Sequence, residues 1–420
     1  MAEPLTVFYA FPHALGDAGI GWTAWNQAAE LAAAGHRVHV VAASLSRPVP
    51  GAASVRTTLQ RGRVRMPHRA IGRENAFALH DLLTARALER RAAAERIHVV
   101  HGWPLNGTRT FAAARRLGIP SVREVPNTHT AHAYQVVADE YRALGLEQPA
   151  GKSHTYSQLR LDREQREYET ATALLTPSDA VRQTFLDRDF PPARLLRHRY
   201  GVRPEDVRAH VPRPAGSGLR AVFLGRCDPR KGLHHALRAW RDSTASRGGA
   251  LTVFGDFLPA YREVLGPLLD HPSVTVAGFT ADAGAALANA DVLLLPTVEE
   301  GSALVTYEAQ AAGCVPLVSS AAGADLVEGV TGLTHAVGDT LTLTAQLDRL
   351  AQHPDELERM SRAAAARAPR LGWAAAAERL GGAYREAVWL HAGALGESTA
   401  AAGTATGTAA TGEGPRVRAG

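Results

Sequence analysis

Short runs rich in valine, isoleucine and leucine alternate with segments of helical periodicity along most of the chain, and they do so twice. The first half carries "LTVFYAF", "HRVHVVAAS", "IHVVHGW", "PSVREV" and "ALLTPS"; the second carries "LRAVFLGR", "ALTVFGD", "VTVAGF", "DVLLLP" and "VPLVSS". Helical patterns lie between them, at Trp22–Ala34, Glu74–Ala94, Asn106–Leu117 and Leu161–Ala173, and then near Gly232, Tyr261, Ala281 and Ser302. Strands separated by a helix's length of chain pair as parallel neighbours with the helix crossing over, so this alternation predicts an α/β fold with parallel sheets. It breaks at "RYGVRPEDVRAHVPRPAGSG" (199–218), where proline and glycine accumulate. A single core rarely grows past about 250–300 residues, and the chain has 420. Two doubly wound, Rossmann-like domains are therefore expected, spanning 1–205 and 206–373.

A last helix is expected over 374–391. The segment 392–420 repeats alanine, glycine and threonine with almost no large apolar side chains; it offers too little surface to offset the entropy of ordering and is expected to be disordered.

No run of roughly 18 apolar residues is present to span a bilayer. The start "MAEPLTVFYAFPHALG" carries an acid where a secretion signal needs a base, so cytoplasmic residence is expected. Cys227 and Cys314 fall at separate strand ends and predict reduced thiols rather than a disulfide. The net charge of +5 suits nucleic acid, an anionic membrane face or phosphate-bearing small molecules. The arginines are spread out except in 61–73 and 86–96, which read as a loop and a solvated helix face. Nucleic acid is not expected as a partner. Peripheral contact with the inner membrane face would run through the basic stretches of 61–96.

Two stretches carry chemistry. "GRCDPRKGLHHALRAW" (225–240) closes a strand, opens a helix and holds one of the chain's two lysines. It places Arg226 and Lys231 at the carboxyl edge of a parallel sheet, beside a helix N-terminus whose free N–H groups and dipole suit a diphosphate. The plainer reading is a surface turn with two solvated charges. "PTVEEGSALVTYEAQAAGCVP" (296–316) puts Glu300 before a helix and Glu308 about two turns inside it, spaced to meet an extended ligand's hydroxyls at two points. The plainer reading is two ordinary acidic positions. Glu299 would shift the register by one; only Glu300 leaves seven residues between the two acids.

In order, "GRCDPRKG", "EGSALVTYEAQAAG" and "AAGADLVEGVTGL", with "GIGWTAWNQAAELAAAGHRVHVVAAS", "YETATALLTPSDAVRQTFL" and "RHRYGVRPEDV" in the first half, resemble glycosyltransferase family 4. The resemblance implies the GT-B fold, two Rossmann-like domains facing a central cleft, with a final helix crossing back to the first. It implies a retaining glycosyl transfer, hexosyl or related, from a nucleoside-diphosphate sugar. The acceptor would be a hydroxyl on a small molecule, polysaccharide or glycolipid. The first domain would bind that acceptor and the second the donor.

By the same likeness, Arg226 and Lys231 would hold the donor diphosphate, Glu300 the transferred sugar and Glu308 the ribose. The base would be read near Phe279 and Thr280. A first-domain histidine would lie by the sugar, with His129 the candidate and Glu300 and His129 as catalytic residues. The leaving phosphate would itself help deprotonate the acceptor, so no hydrolase-like carboxylate pair is required. Departures after the first glutamate of "EGSALVTYEAQAAG" and in "GADLVEGV" leave the donor's identity open. The oligomeric state is not legible. Two other classes stay open: a non-catalytic binder of sugar nucleotide or polysaccharide, and an epimerase or phosphorylase on the same architecture.

Independently of the likeness, Gly16, Gly19 and Gly21 form a glycine-rich loop between strand and helix, where backbone N–H groups meet phosphate or acceptor oxygens. "DRD" (187–189) follows a helix rather than a strand, and the pairs His98/His101 and His129/His132 fall at strand ends and loops. No obligatory metal or other cofactor is expected. The stretch 132–169, with Tyr134, Tyr141 and Tyr156, reads either as an acceptor lid or as two amphipathic helices.

Overall fold

The computed structural model describes residues 3–66, 71–151, 153–214 and 216–406. Its first half contains β1 (Thr6–Leu15), β2 (Arg37–Leu45), β3 (Ser54–Thr57), the small ribbon β4 (Gln60–Arg61) and β5 (Val64–Arg65), β6 (Val99–Gly102), β7 (Ser121–Glu124), β8 (Ala173–Thr176) and β9 (Leu195–Arg197). The second contains β10 (Arg220–Leu224), β11 (Ala250–Phe254), β12 (Val274–Gly278), β13 (Val292–Leu295), β14 (Val315–Ser319) and β15 (Leu333–His335). Two sheets result, ordered β3-β2-β1-β6-β7-β8-β9 and β12-β11-β10-β13-β14-β15, with parallel pairing throughout. The expected α/β class with two doubly wound sheets is what the chain adopts. Runs such as Ala173–Thr176 and Val292–Leu295 are buried at every position, as strands covered by helices on both faces must be.

Strand order reverses between β1 and β6 in one sheet and between β10 and β13 in the other. A crevice opens at the carboxyl ends of such strands. Besides the small ribbon β4–β5, the strands that sequence reading missed, β3, β9 and β15, are all edges of the two large sheets. They are three or four residues long and mix Arg56, Thr57 and Arg197 into the run, so no apolar signal marks them.

β1 contains Pro12, which has no N–H to give to a ladder. The register against β2 shifts between Phe11 and Ala14, a bulge that absorbs the proline and re-aims the strand's end. His13 comes to line the crevice.

The two halves are stitched together where the chain crosses between them. Val202 bridges Gly372, and a side chain on Gly201 would meet the Trp373 nitrogen at 2.6 Å. Tyr200, Val202, Tyr307, Leu371 and Trp373 close around this crossing. The helix Trp373–Thr406 then returns to the first sheet, where Leu380, Ala383, Tyr384 and Ala387 join the core of Val7, Tyr9, Val38 and Val99. This helix runs to Thr406, through 392–406 where a disordered tail was expected. Alanine's high helix propensity continues an anchored helix even where there is nothing large to bury. The remainder of the expected tail, 407–420, lies outside the described residues.

The 132–169 stretch folds as helices Thr130–Ala143 and Gln158–Thr170 joined by a loop. Tyr134 and Tyr141 are buried and Tyr156 is exposed. Asp187 caps the helix Asp179–Leu186 and accepts from Gln183, a helix-end role. His98 and His101 bond apart, to the Thr6 amide and the Tyr384 hydroxyl. Cys227 and Cys314 are buried free thiols. Among the described residues no helix is long and apolar enough to cross a membrane.

Candidate active site

A cleft of about 840 Å³ lies at the facing carboxyl edges of the two sheets, lined from both halves of the chain. The second half contributes the loop after β10. Asp228 starts a tight turn, Pro229–Lys231, by accepting from the Lys231 amide at 3.2 Å. Gly232 follows with φ 70° and would place a Cβ 1.9 Å from the Pro296 carbonyl, so both backbone and space demand glycine there. The helix Leu233–Asp242 begins at once, and Lys231 is left over the cleft.

The loop after β13 is clamped to this turn. Val298 N–H and Thr297 Oγ1 both donate to the Arg230 carbonyl, at 2.9 and 2.8 Å. The Arg230 guanidinium donates to the Glu299 carbonyl at 2.8 Å and to Glu300 Oε2 at 3.2 Å, while Lys231 Nζ donates to the same Glu300 oxygen. Burial alone would raise the Glu300 carboxyl; Lys231 and then Arg230 outweigh it and hold it below the ordinary range.

The two adjacent glutamates therefore part company. Glu299 is fully enclosed: Thr128 donates to it from both its amide (3.0 Å) and its hydroxyl (2.7 Å), and His154 Nε2 lies 3.1 Å away. Burial pushes it up, but His154, Arg230 and Thr128 prevail and keep it ionised. It ties the halves together, whereas Glu300 faces the cleft. Gly301 permits this, since a side chain there would lie 1.8 Å from the Pro126 carbonyl.

Glu308, on the helix Leu304–Ala312, also lines the cleft. Burial, with the charge of Asp206, pushes its carboxyl up to about 7. Arg226 lines the cleft too, with 59% of its side chain exposed and Nε 3.5 Å from Asp228. Phe279 is 73% exposed and stands between the main cleft and a side cavity of about 430 Å³ formed with Leu224, Phe254, Gly255 and Thr280. The structure thus brings Arg226, Lys231, Glu300, Glu308 and Phe279 to one cavity and Thr280 to its annex.

Across the cleft, Gly19 (φ 72°) opens the helix Ile20–Ala33 and lines the wall. Gly21 stands behind, where a Cβ would strike the Ala14 carbonyl at 2.5 Å. Its part is close packing rather than contact with the cleft.

His129 departs from its expected role. Its Nδ1 accepts from the Ala131 amide at 3.2 Å, capping the helix Thr130–Ala143, and its ring packs between Tyr168 and Phe185. It does not line the cleft. Burial, with Arg188 and Arg123 nearby, pushes it down to about 4. A histidine after a strand and before a helix fits a cap as well as a ligand, and here the cap prevails.

Three participants escaped sequence reading. Arg230 sits between the two motif cations. His154 lies in an irregular loop. Leu105 lines the cleft with φ 71°, a strained value for leucine. Glu167 accepting its amide (3.1 Å) and Arg163 donating to its carbonyl (2.7 Å) hold it there.

Two family models match the chain: "Glycosyl transferase 4-like domain" over 18–201 and "Glycosyl transferases group 1" over 218–353. A D-inositol 3-phosphate glycosyltransferase of Frankia alni is 29% identical over 396 residues, covering 86% of this chain and 92% of the relative. A protein of the same name from Kineococcus radiotolerans is 29% identical over 375 residues, covering 77% and 81%. Among solved structures, sucrose-phosphate synthase from Thermosynechococcus elongatus superposes with TM-score 0.63 at 19% identity, over 91% of this chain and 98% of that one. The catalytic domain of starch synthase IV from Arabidopsis thaliana, bound to ADP and acarbose, does so with TM-score 0.65 at 13% identity, over 92% and 100%.

Proposed function

Because the chain belongs to glycosyltransferase family 4, has the GT-B fold and is a nucleotide-sugar-dependent glycosyltransferase, we propose a division of labour for the cleft residues. Lys231 and Arg226 hold the donor diphosphate, Glu300 the transferred sugar, Glu308 the ribose, and Phe279 with Thr280 the base. The observation that carries this reading is the convergence of Arg226, Lys231, Glu300 and Glu308 on one cavity from two separate segments of the chain. The binder and the epimerase or phosphorylase alternatives are not favoured, since the relatives matched are glycosyltransferases.

The Lys231–Glu300 pair is the working part. An incoming diphosphate offers Lys231 a more highly charged partner, and the lysine's turn toward it releases Glu300 for sugar hydroxyls. Arg230, anchored to the Glu299 carbonyl, keeps Glu300 in place and ionised. As the glycosidic bond breaks, negative charge grows on the leaving diphosphate, and cations already aimed at it lower the barrier. Transfer is retaining, with the departing phosphate accepting the acceptor's proton.

The acceptor enters along the first-domain wall. The free N–H groups after Gly19, at the start of a helix, and the exposed Arg73 there suit an acceptor that carries a phosphate as well as a hydroxyl. Inositol 3-phosphate, named in the relatives, has that chemistry. A thermal-shift screen of UDP-, GDP- and ADP-linked sugars tests the donor side. One class should raise Tm, by the equivalent of about 2.7 kcal/mol at a hundred times Kd. That donor should then release its nucleoside diphosphate faster with inositol 3-phosphate than with inositol. No shift with any donor would overturn the donor reading; equal rates would overturn the anionic acceptor.

A further inference from the structure

A cluster outside the cleft remains unused by this reaction. Glu140, on the first domain's helix Thr130–Ala143, meets His234 and His235 at the start of the second domain's helix Leu233–Asp242. Glu140 Oε1 lies 2.6 Å from His234 Nε2 and 2.9 Å from His235 Nε2. Consecutive helical residues ordinarily face different directions, yet these two rings sit 3.9 Å apart and turn the same nitrogen to one oxygen. Two imidazoles from one side and a carboxylate from the other make a ligand set.

The surroundings agree. His234 is 2% exposed, and the Tyr261 hydroxyl lies 2.7 Å from its Nδ1. That hydroxyl also accepts the His234 amide at 2.9 Å and keeps a lone pair for an Nδ1–H, so the ring can hold its one proton there and free the Nε2 lone pair for a cation. An outer partner on the second ring nitrogen is the usual companion of a metal-bound histidine. The three ligand atoms lie within 4.8 Å of one another. A tetrahedral ion with bonds of about 2.0–2.1 Å needs ligand atoms about 3.3 Å apart, so the pairs now at 2.6 and 2.9 Å need spread by less than about 1 Å.

We propose that Glu140, His234 and His235 form a bridging site for a zinc-type divalent cation that joins the two domains. Nitrogen-rich ligation favours zinc over magnesium, which takes oxygen ligands. The cation takes the Nε2 lone pairs in place of the hydrogen bonds to Glu140, each neutral ring carrying its one proton on Nδ1, and water fills the fourth position. None of the three residues lines the cleft, so the site is separate from sugar transfer and does not depend on the donor assignments. It ties the first domain to the helix that begins just after Lys231, and so sets where the diphosphate loop stands.

The test is Zn²⁺ titration of the full chain, stripped with EDTA and desalted, against a chromophoric chelator. One equivalent should bind tightly and raise Tm, and excess Mg²⁺ should not displace it. Glu140→Gln and His235→Ala, both at partly exposed positions, should each weaken binding by at least about 100-fold and abolish the Tm rise. Tyr261→Phe should weaken it about tenfold. The metal-free Tm of each variant shows whether it folds, and either of the first two alone suffices. Absence of a stoichiometric site in the wild type, unchanged affinity in a folded Glu140→Gln or His235→Ala, or displacement by Mg²⁺ would each overturn the proposal.

Discussion

Each sheet carries a buried carboxylate at its carboxyl edge, and the two have different fates. Glu124 ends β7 and is fully enclosed. It accepts from Gln27 (3.1 Å) and Tyr200 (3.0 Å), with His198 Nε2 at 2.8 Å and His101 Nε2 at 3.5 Å. Burial raises its carboxyl, but His198, His101 and Gln27 outweigh it and keep it low. Glu300 follows β13 and is held instead by Lys231 and Arg230, with 14% of its side chain still open to the cleft. A carboxylate ringed by its own domain's donors has nothing left to offer a ligand and serves as architecture. One held at an open edge by a lysine that a ligand can draw away can exchange partners.

The largest expected effect would break this contrast most readily. Lys231→Ala should lower kcat by about 10²–10³, or about 2.7–4 kcal/mol of barrier, with Tm nearly unchanged. A lowered Tm with an unchanged kcat would make this lysine architectural. Glu124→Ala should do the reverse. It strands several buried donors at about 1–3 kcal/mol each, so chemical denaturation should show a large drop in stability while the folded fraction keeps its donor affinity. Arg226→Ala should weaken donor binding less than about tenfold, because an exposed cation is screened by solvent; calorimetric titration with the donor's nucleoside diphosphate reads this.

The smallest effect is a pH step at Glu308. Its carboxyl, raised to about 7, holds a proton in the folded state that the unfolded chain has already lost. Native stability therefore falls as pH rises from the ordinary carboxyl range toward 7. Ribose hydroxyls donate to the ionised form, so donor affinity should climb a few-fold as pH passes 7. Glu308→Gln should flatten that step; a variant that keeps it would remove Glu308 from the donor site.

How much of this was legible follows from how far each feature reaches. Apolar alternation is local, so the central strands and most crossover helices could be read from it, and the edges β3, β9 and β15 could not. Gly232 and Glu300 sit in contiguous motifs and were found. Arg230 matters because of loop 296–300 and His154 because of Glu299, contacts between distant segments that no spacing announces. His129 looked like a ligand because the pattern of strand, polar residue and helix is shared by ligands and caps; only the packing of Tyr168 and Phe185 separates them. The trio Glu140, His234 and His235 is invisible for the same reason, since its carboxylate lies in the other domain.

The most direct test of the central claim is a crystal structure of the protein with its donor's nucleoside diphosphate bound. The account predicts Lys231 Nζ turned from Glu300 to a phosphate oxygen at about 2.7–2.9 Å, with the ribose against Glu308 and the base at Phe279. A diphosphate bound elsewhere, with Lys231 still on Glu300, would contradict it.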